Sequence, residues 1–487
     1  MQRRKLLSAS GTLFAAPALF AAPTVDPEAK AASDTAGRTP QDPDDVLIIG
    51  AGGAGLAAAV SALEAGARRG TILERGAFVG GHTVISAGTV TIAAGGETPV
   101  EDLARDIIEA GGRPELARTF AENAGAAIQW LGSMGVAWEP RLFRAVGSGM
   151  SARRNLSTGS QRGGWDMIQA LSERARTLGA KTLFETRACR LLLENGRVGG
   201  VAARTASGDE VLRNARAVVL ATGGFGANPE MVKKYNPKID ERFKTTDAPG
   251  TTGEALYMAE RAGAQLVNMG YIQTYPICDP ISGAIELIAD ARFDGAIMLN
   301  QEGKRFVEEL QRRDVLSEAI LNQTGRYCWV LWNDKIGSIS NTVKAHANEY
   351  EAFTKQGIMT TCDDLKCIAD FTKIPFDQLQ KTVKRVSDMA GKGNDKDFNH
   401  RSGLVDMQQG KYYVIKAVPS THHTMGGVRI NEKAEALTAE GKVIPGLWAA
   451  GEVTGVTHGT NRLGGNAYTD IIVFGRIAGE AAAKAAK

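Results

Sequence analysis

Asp45-Val46-Leu47-Ile48-Ile49-Gly50-Ala51-Gly52-Gly53-Ala54-Gly55-Leu56 is the stretch whose reading decides the fold. Its apolar run reads as a buried parallel strand. The run breaks into Gly50-x-Gly52-x-x-Gly55, and an Ala-rich helix from Leu56 to Leu63 follows. Gly50 allows the tight turn, Gly52 lets the backbone approach a pyrophosphate, and Gly55 lets helix pack close on strand. Gly53 and Ala54 complete the loop. The helix N-terminus then offers phosphates its free N–H groups and the positive end of its dipole. Gly70-Thr-Ile-Leu-Glu74 reads as a second strand, ending about 20 residues on in an acid able to grip a ribose hydroxyl. Strand, glycines, helix, strand and acid in register predict a dinucleotide-binding domain. They do not separate FAD from NAD.

Working outward, 487 residues are enough for more than one domain with large cores. A formal net charge of +3 with mixed signs gives no reason to expect nucleic acid as a partner. No apolar run is long enough to span a bilayer as a helix of the mature chain. Arg3-Arg4-Lys5-Leu6-Leu7, an apolar run to Ala22 and the small-residue stretch Ala29-Lys30-Ala31-Ala32 read 1–37 as a twin-arginine export signal and processing region. That route moves folded proteins, which suits an enzyme loaded with cofactor in the cytoplasm. The expected location is the periplasm, or another compartment reached by this route. Thr35 to Asp44 reads as a linker. The cysteines are Cys189, Cys278, Cys328, Cys362 and Cys367. They show neither haem-attachment nor zinc spacing, and no metal site is expected. An odd count in an exported chain argues against a disulfide framework. A Cys362–Cys367 pair is open, and free thiols are the simpler expectation.

Gly80-Gly81-His82-Thr83-Val84-Ile85-Ser86-Ala87-Gly88 suits a loop crossing a flat ring or a diphosphate. Residues 101–138 and 165–178 read as helices, and 181–222 as short strands. The last of these, Ala217-Val-Val-Leu-Ala, runs into Thr222-Gly223-Gly224-Phe225, a second fingerprint of flavoproteins with two dinucleotide-type segments. Near the C-terminus stand His422-His423-Thr-Met-Gly-Gly427, Val443-Ile-Pro-Gly-Leu-Trp-Ala-Ala-Gly451-Glu452 and Asn461-Arg462-Leu-Gly-Gly-Asn466-Ala467, followed by an Ala-rich helix from Ile471 to Ala486.

With these segments the chain, over 44–487, resembles the flavoprotein subunit of the fumarate reductase/succinate dehydrogenase superfamily, in its soluble periplasmic branch. The resemblance implies an α/β fold: a doubly wound, Rossmann-like FAD-binding domain split in sequence into 38–270 and 422–487. An α+β substrate-capping domain, 271–421, is inserted between the two parts. It implies FAD as cofactor, with Glu452 on its ribose and Arg462 to Ala467 beside the ring system. It also permits a covalent link to the flavin through His82; a non-covalent loop histidine is the equal alternative.

The implied chemistry is reduction of an activated C=C in a small enoate. The flavin supplies hydride to one carbon, an acid protonates the other, and fixed cations stabilise charge growing on the substrate carboxylate. Arg313, in Gly303-Lys304-Arg305-Phe306-Val307-Glu308-Glu309-Leu-Gln-Arg312-Arg313-Asp314, matches the family's proton donor. A guanidinium is a poor acid, so that role needs a relay returning the proton. A surface ion pair with Asp314 is the bland alternative. His422 and Arg462 match the ligands of the substrate carboxylate, with His423 and His458 as lesser candidates. Arg292 matches the relay arginine.

Two departures bear on the substrate. Tyr275 stands where fumarate reductases hold the second carboxylate with histidine. Ala289 replaces the relay glutamate, with Asp290 one position on. A second carboxylate would meet repulsion there, whereas a tail carrying N–H donors would be held. The set Tyr275, Asp290, Arg313, His422 and Arg462 resembles the urocanate-reducing members of the superfamily. Asp290 is either the acceptor for an imidazole or the relay carboxylate displaced by one residue. Fumarate, methacrylate or an aryl acrylate such as cinnamate are alternative substrates. A 3-ketosteroid dehydrogenase and a non-catalytic flavin electron carrier are remoter readings. No second GxGxxG suits NAD(P)H. The expected electron donor is a separate periplasmic cytochrome c or FMN-bearing protein.

Overall fold

Val46, Leu47, Ile48 and Ile49 lack polar alternation because the strand they form is covered on both faces, and all four are buried. The computed structural model describes residues 43–93, 95–143, 151, 154–158, 160 and 162–487. The expected export signal and nearly all of the linker lie outside the described residues. Gln41–Lys487 packs as one compact unit. Among the described residues no helix is long and apolar enough to cross a membrane.

The first half runs β1 (Asp44–Ile49), α1 (Gly53–Glu64), β2 (Gly70–Leu73), α2 (Val100–Glu109), α3 (Pro114–Ser133), α4 (Gly163–Thr177), β3 (Lys181–Leu183), β4 (Arg187–Glu194), β5 (Arg197–Arg204) and β6 (Glu210–Leu220). Then come β7 (Ile272–Cys278), β8 (Ile297–Leu299), α5 (Arg313–Leu321), β9 (Cys328–Asn333) and α6 (Ala347–Gln356). The chain closes with β10 (Tyr412–Thr424), β11 (Glu435–Leu437), β12 (Val443–Ala449) and α7 (Asn466–Ala485). Two helices start earlier than their apolar periodicity predicts, α1 at Gly53 and α7 at Asn466. In both, the extra first turn is made of small or polar residues at a terminus that the hydrophobic pattern does not register.

One sheet has the order β11-β12-β6-β1-β2-β3, with β4 and β5 forming an antiparallel meander on β6. β1 is flanked by β2 and β6, and β12 adds to β6, all parallel. The last strand therefore joins the sheet begun by the first. α7 lies on α1 at close range: a Cβ on Gly479 would stand 2.2 Å from the Ala58 carbonyl oxygen. The second sheet carries the antiparallel order β7-β10-β9-β8, and the short strand Lys244–Thr245 adds to β10 in parallel. Its hydrophobic core draws on residues from Tyr275 to Ala417 and is separate from the core around β1.

One expectation fails. Cys362 and Cys367 are joined in a disulfide, with Cα atoms 5.7 Å apart, while Cys189, Cys278 and Cys328 are free. The strand ending at Cys362 turns straight into a helix, Leu365–Thr372. Asp364 caps that helix by accepting from the Cys367 N–H at 2.8 Å, which folds the second thiol back onto the first. The parity of the cysteine count carries no information about such a local turn.

Candidate active site

The glycine loop has the geometry its sequence predicts. Gly50 has φ +104°, and a Cβ there would meet the Ala221 carbonyl oxygen at 2.4 Å, so β6 and its Thr222-Gly223 turn close tightly over it. At Gly55 a Cβ would lie 1.9 Å from the Gly50 oxygen. Gly52 differs: the nearest atom to a Cβ would be the Gly80 oxygen at 3.8 Å, and no side chain caps α1 there. The Glu74 carboxylate accepts from the Ala51 N–H at 2.9 Å and the Gly76 N–H at 2.7 Å, placing the acid against the loop. Thr83 accepts from the Gly53 N–H at 3.3 Å, and Gly81, Ala87 and Gly88 carry the chain between this loop and the start of α4. From the other end of the chain Gly451 approaches Ala54, and Ile471 of α7 approaches Gly53.

A flavin dinucleotide fits this cradle. The N-termini of α1 and α7 have no side-chain caps. Asn466, beside Ala467 in the first turn of α7, is fully buried with both atoms of its amide lacking a protein partner. A buried amide with neither end satisfied calls for a ligand. When bound, FAD would supply the hydride chemistry; Gly50 to Gly55, Glu74, Thr222, Gly223, Asn466 and Ala467 are the residues to hold it.

Next to the cradle the two sheets bring the other candidates together. β7 pairs antiparallel with β10, setting Tyr275 opposite Ser420 and Gln273 opposite His423. Arg313 opens α5, and Arg462 lies in the loop before α7. The two guanidiniums converge on one atom: Arg313 Nη1 donates to Gln273 Oε1 at 3.1 Å, and Arg462 Nη2 donates to the same oxygen at 2.8 Å. Arg313 also sits 4.8 Å over the Tyr275 ring, whose centroid is 5.2 Å from that of His422. Asp314 is taken by Arg312, with Nη2 to Oδ2 at 2.6 Å, so Arg313 is free of the bland pairing.

Electrostatics follow from burial. His422 is held well below the usual histidine range by burial, then by Arg313 and Arg462, so its ring is neutral. Thr246 Oγ1 hydrogen-bonds its Nδ1 at 2.8 Å. With that hydroxyl donating, Nε2 carries the ring proton. Burial, and next Arg313, push Arg462 down to about 9, which leaves it a cation at neutral pH. One neutral ring N–H and two cations gathered around Tyr275 and Gln273 suit an anion.

Asp290 lies on the 3-10 helix Leu287–Asp294, with Oδ1 3.8 Å from Arg292 Nη2. Burial pushes this carboxyl up to about 6, against the pull of Arg292 and Arg313. Burial, and next the charge of Asp290, hold the Tyr275 phenol up. Arg292 donates to the Glu309 carbonyl at 3.1 Å and stacks 4.5 Å over Phe293. His82 is 3.2 Å from Asp247 through Nδ1, and burial pushes it down to about 4. Glu452 accepts from the Thr424 N–H at 2.8 Å and faces His423 at 3.6 Å and His82 at 4.0 Å. Burial holds both Asp247 and Glu452 up, and the charge of Glu452 raises Asp247 further. His458 stands behind, 3.6 Å from Asp470 and edge-on to His423.

Sequence reasoning missed Gln273, Thr246 and Asp247. Gln273 had a signal: it lies two residues before Tyr275 in a strand, hence on the same face. Thr246 and Asp247 had none, because they come from the short strand Lys244–Thr245 and its exit, which reach the site only by pairing with β10.

The model of the FAD binding domain family matches residues 45–468. The chain is 40% identical over 454 residues to a urocanate reductase of Eggerthella lenta, covering 90% of this chain and 74% of that protein. It is 35% identical over 459 residues to Fumarate reductase (cytochrome) of Shewanella frigidimarina, covering 92% and 78%. Among solved structures, the open conformation of a flavocytochrome c3 fumarate reductase superposes with a TM-score of 0.80 at 33% identity, covering 92% of this chain and 79% of that one.

Proposed function

Because the chain belongs to the FAD binding domain family, in the branch of the urocanate and fumarate reductases, we propose that it reduces urocanate to imidazole propionate. It is an FAD-dependent oxidoreductase that acts on the C=C bond of an unsaturated carboxylate. In our reading Arg462 and the His422 Nε2–H take the carboxylate, and Arg313 protonates the carbon that does not receive hydride. Arg292 takes part in returning the proton to Arg313. The cleft lies between the sheet of β1 and the cap, which we assign to 271–421.

The observation that carries the choice of urocanate is the pair Tyr275 and Asp290. In our reading the phenol under Arg313 and the nearby carboxyl form the end of the cleft that accepts hydrogen bonds and repels a second carboxylate; the effect of Asp290 on Tyr275 supports this. An imidazole N–H is a matching donor. The S. frigidimarina relative supports a cytochrome-type electron donor, and we take export by the twin-arginine route and a separate cytochrome c or FMN-bearing donor as parts of the same reading.

The test is anaerobic turnover with reduced methyl viologen on urocanate, fumarate, methacrylate and cinnamate. A clear preference for urocanate is expected; preference for another acrylate discards the pocket argument and keeps the reaction class. Asp290→Ala should lower activity on urocanate further than on methacrylate. The difference, on the order of tenfold, is the hydrogen bond to the imidazole. Equal losses on the two substrates remove Asp290 from imidazole recognition.

His82 gives a separate prediction. With Nδ1 turned to Asp247, Nε2 is the nitrogen left to meet a flavin. Flavin that stays on the protein band after acid denaturation, and is released in His82→Asn, establishes a covalent bond. Flavin released from the wild type shows that His82 holds it without one.

A further inference from the structure

We propose that Gln273 keeps Arg313 and Arg462 together as an uncompensated pair of cations, and so sets the charge the site offers an anionic substrate; this rests on the reductase reading above. Both ends of its amide are in use. Oε1 accepts from Arg313 Nη1 at 3.1 Å and from Arg462 Nη2 at 2.8 Å. Nε2 donates to Asn461 Oδ1 at 2.8 Å and to the Arg462 carbonyl at 2.9 Å. A guanidinium only donates and a main-chain carbonyl only accepts, so the amide has a single orientation. Gln273 is 4% exposed, and Arg313 and Arg462 lie 40 and 189 residues away in sequence. One side chain thus ties β7 to the start of α5 and to the loop before α7.

The neutrality of that acceptor matters. Two guanidiniums bonded to one oxygen repel each other at short range. A carboxylate between them would satisfy both and cancel one of the charges, whereas an amide oxygen satisfies both and cancels neither. The neighbouring carboxylates are engaged elsewhere: Asp314 with Arg312, Asp290 toward Arg292 at 3.8 Å, and Glu452 on the Thr424 N–H. Burial, and next Arg313, draw Arg462 down to about 9, as expected of a cation held beside another. An enoate brings one negative charge, and hydride adds a second before the proton from Arg313 removes one. A pair of cations matches that passing state. Gln273 acts through the two arginines and is a positioning residue.

The strand pairing is irregular at this point. Gln273 faces His423 and Thr274 faces Thr421, which leaves His422 unopposed. Such a bulge re-aims the side chains around it. The His422 ring lies 5.2 Å from that of Tyr275, over which Arg313 sits.

Two variants separate charge from tethering. Gln273→Met and Gln273→Glu both lose the Nε2–H donors to Asn461 and Arg462, and only Glu sets a negative charge between the guanidiniums. The probes are imidazole propionate and 3-phenylpropionate, titrated into oxidised FAD-loaded enzyme and followed by flavin absorbance. Alongside, kcat and KM are measured on whichever enoate the wild type turns over. Gln273→Glu should bind both carboxylates at least about tenfold more weakly than Gln273→Met, with KM rising to match. Gln273→Met should keep its flavin and bind within about threefold of wild type, with kcat lower by at least about tenfold because Arg313 is no longer held in place. Equal affinities in the two variants, or wild-type kcat in Gln273→Met, overturn the proposal and leave Gln273 as a tie between β7 and the loop. If Gln273→Glu purifies without flavin, kcat of Gln273→Met decides. A wild type that binds neither carboxylate and turns over no enoate condemns the reductase reading instead.

Discussion

Arg313→Ala is expected to abolish reduction of every enoate while FAD stays bound, a loss of at least ~100-fold in kcat. Three features make the effect large. The guanidinium is fixed from two sides, by Gln273 Oε1 at 3.1 Å and by the face of Tyr275 at 4.8 Å, so it is already oriented when substrate arrives. The neighbouring acids are poor substitutes: burial, then Asp290, hold the Tyr275 phenol up, and burial and the two arginines keep His422 neutral, its remaining N–H being needed for the carboxylate. Water is a poor substitute in a site lined by buried groups. Arg313 touches none of the glycine-loop residues, so flavin content should match wild type. The check is dye-linked turnover together with flavin-to-protein stoichiometry; a variant that keeps most of its turnover removes Arg313 from the acid role.

Gly55→Ala should prevent the holoenzyme from forming at all. Its Cβ would stand 1.9 Å from the Gly50 carbonyl oxygen and 3.3 Å from Ile48 Cγ2. The first of these is backbone in the tight turn at the end of β1, so relief requires α1 to move off the strand. Overpacking of this kind costs about 1–3 kcal/mol, and more where backbone must shift. Purified protein should contain little or no flavin and melt at lower temperature. Gly52→Ala is the control. Gly52 has φ −76°, which any residue adopts, and its Cβ would meet nothing nearer than 3.8 Å. That variant should fold normally and lose flavin affinity alone, if Gly52 serves close approach of the pyrophosphate. Normal flavin content in Gly55→Ala would mean that α1 can shift without opening the site.

What was legible in the sequence is what local pattern dictates. β1, the glycine loop, α1 and Glu74 lie within one short segment and obey one geometric logic, so their reading needed no partner from elsewhere. The convergence of Tyr275, Arg313, His422 and Arg462 was legible only through family resemblance, because no periodicity links residues so far apart. Gln273 was overlooked although its strand register pointed to it. Thr246 and Asp247 gave no signal: both reach the site through a long-range contact made by a short strand. The Cys362–Cys367 bond was misjudged because pairing depends on where a helix cap turns the chain.

The placement of β12 beside β6, and of α7 on α1, has a consequence for how the protein is made. The glycine loop leaves the ribosome well before Glu452, Arg462 and Asn466 do. A nascent chain with β1, α1 and β2 already formed still has an unfinished cradle, because the strands of the second sheet are made before β12 and α7. Flavin capture therefore waits until the segment carrying Asn466 has been made, and any quality check that senses the loaded protein also senses that translation has passed that segment.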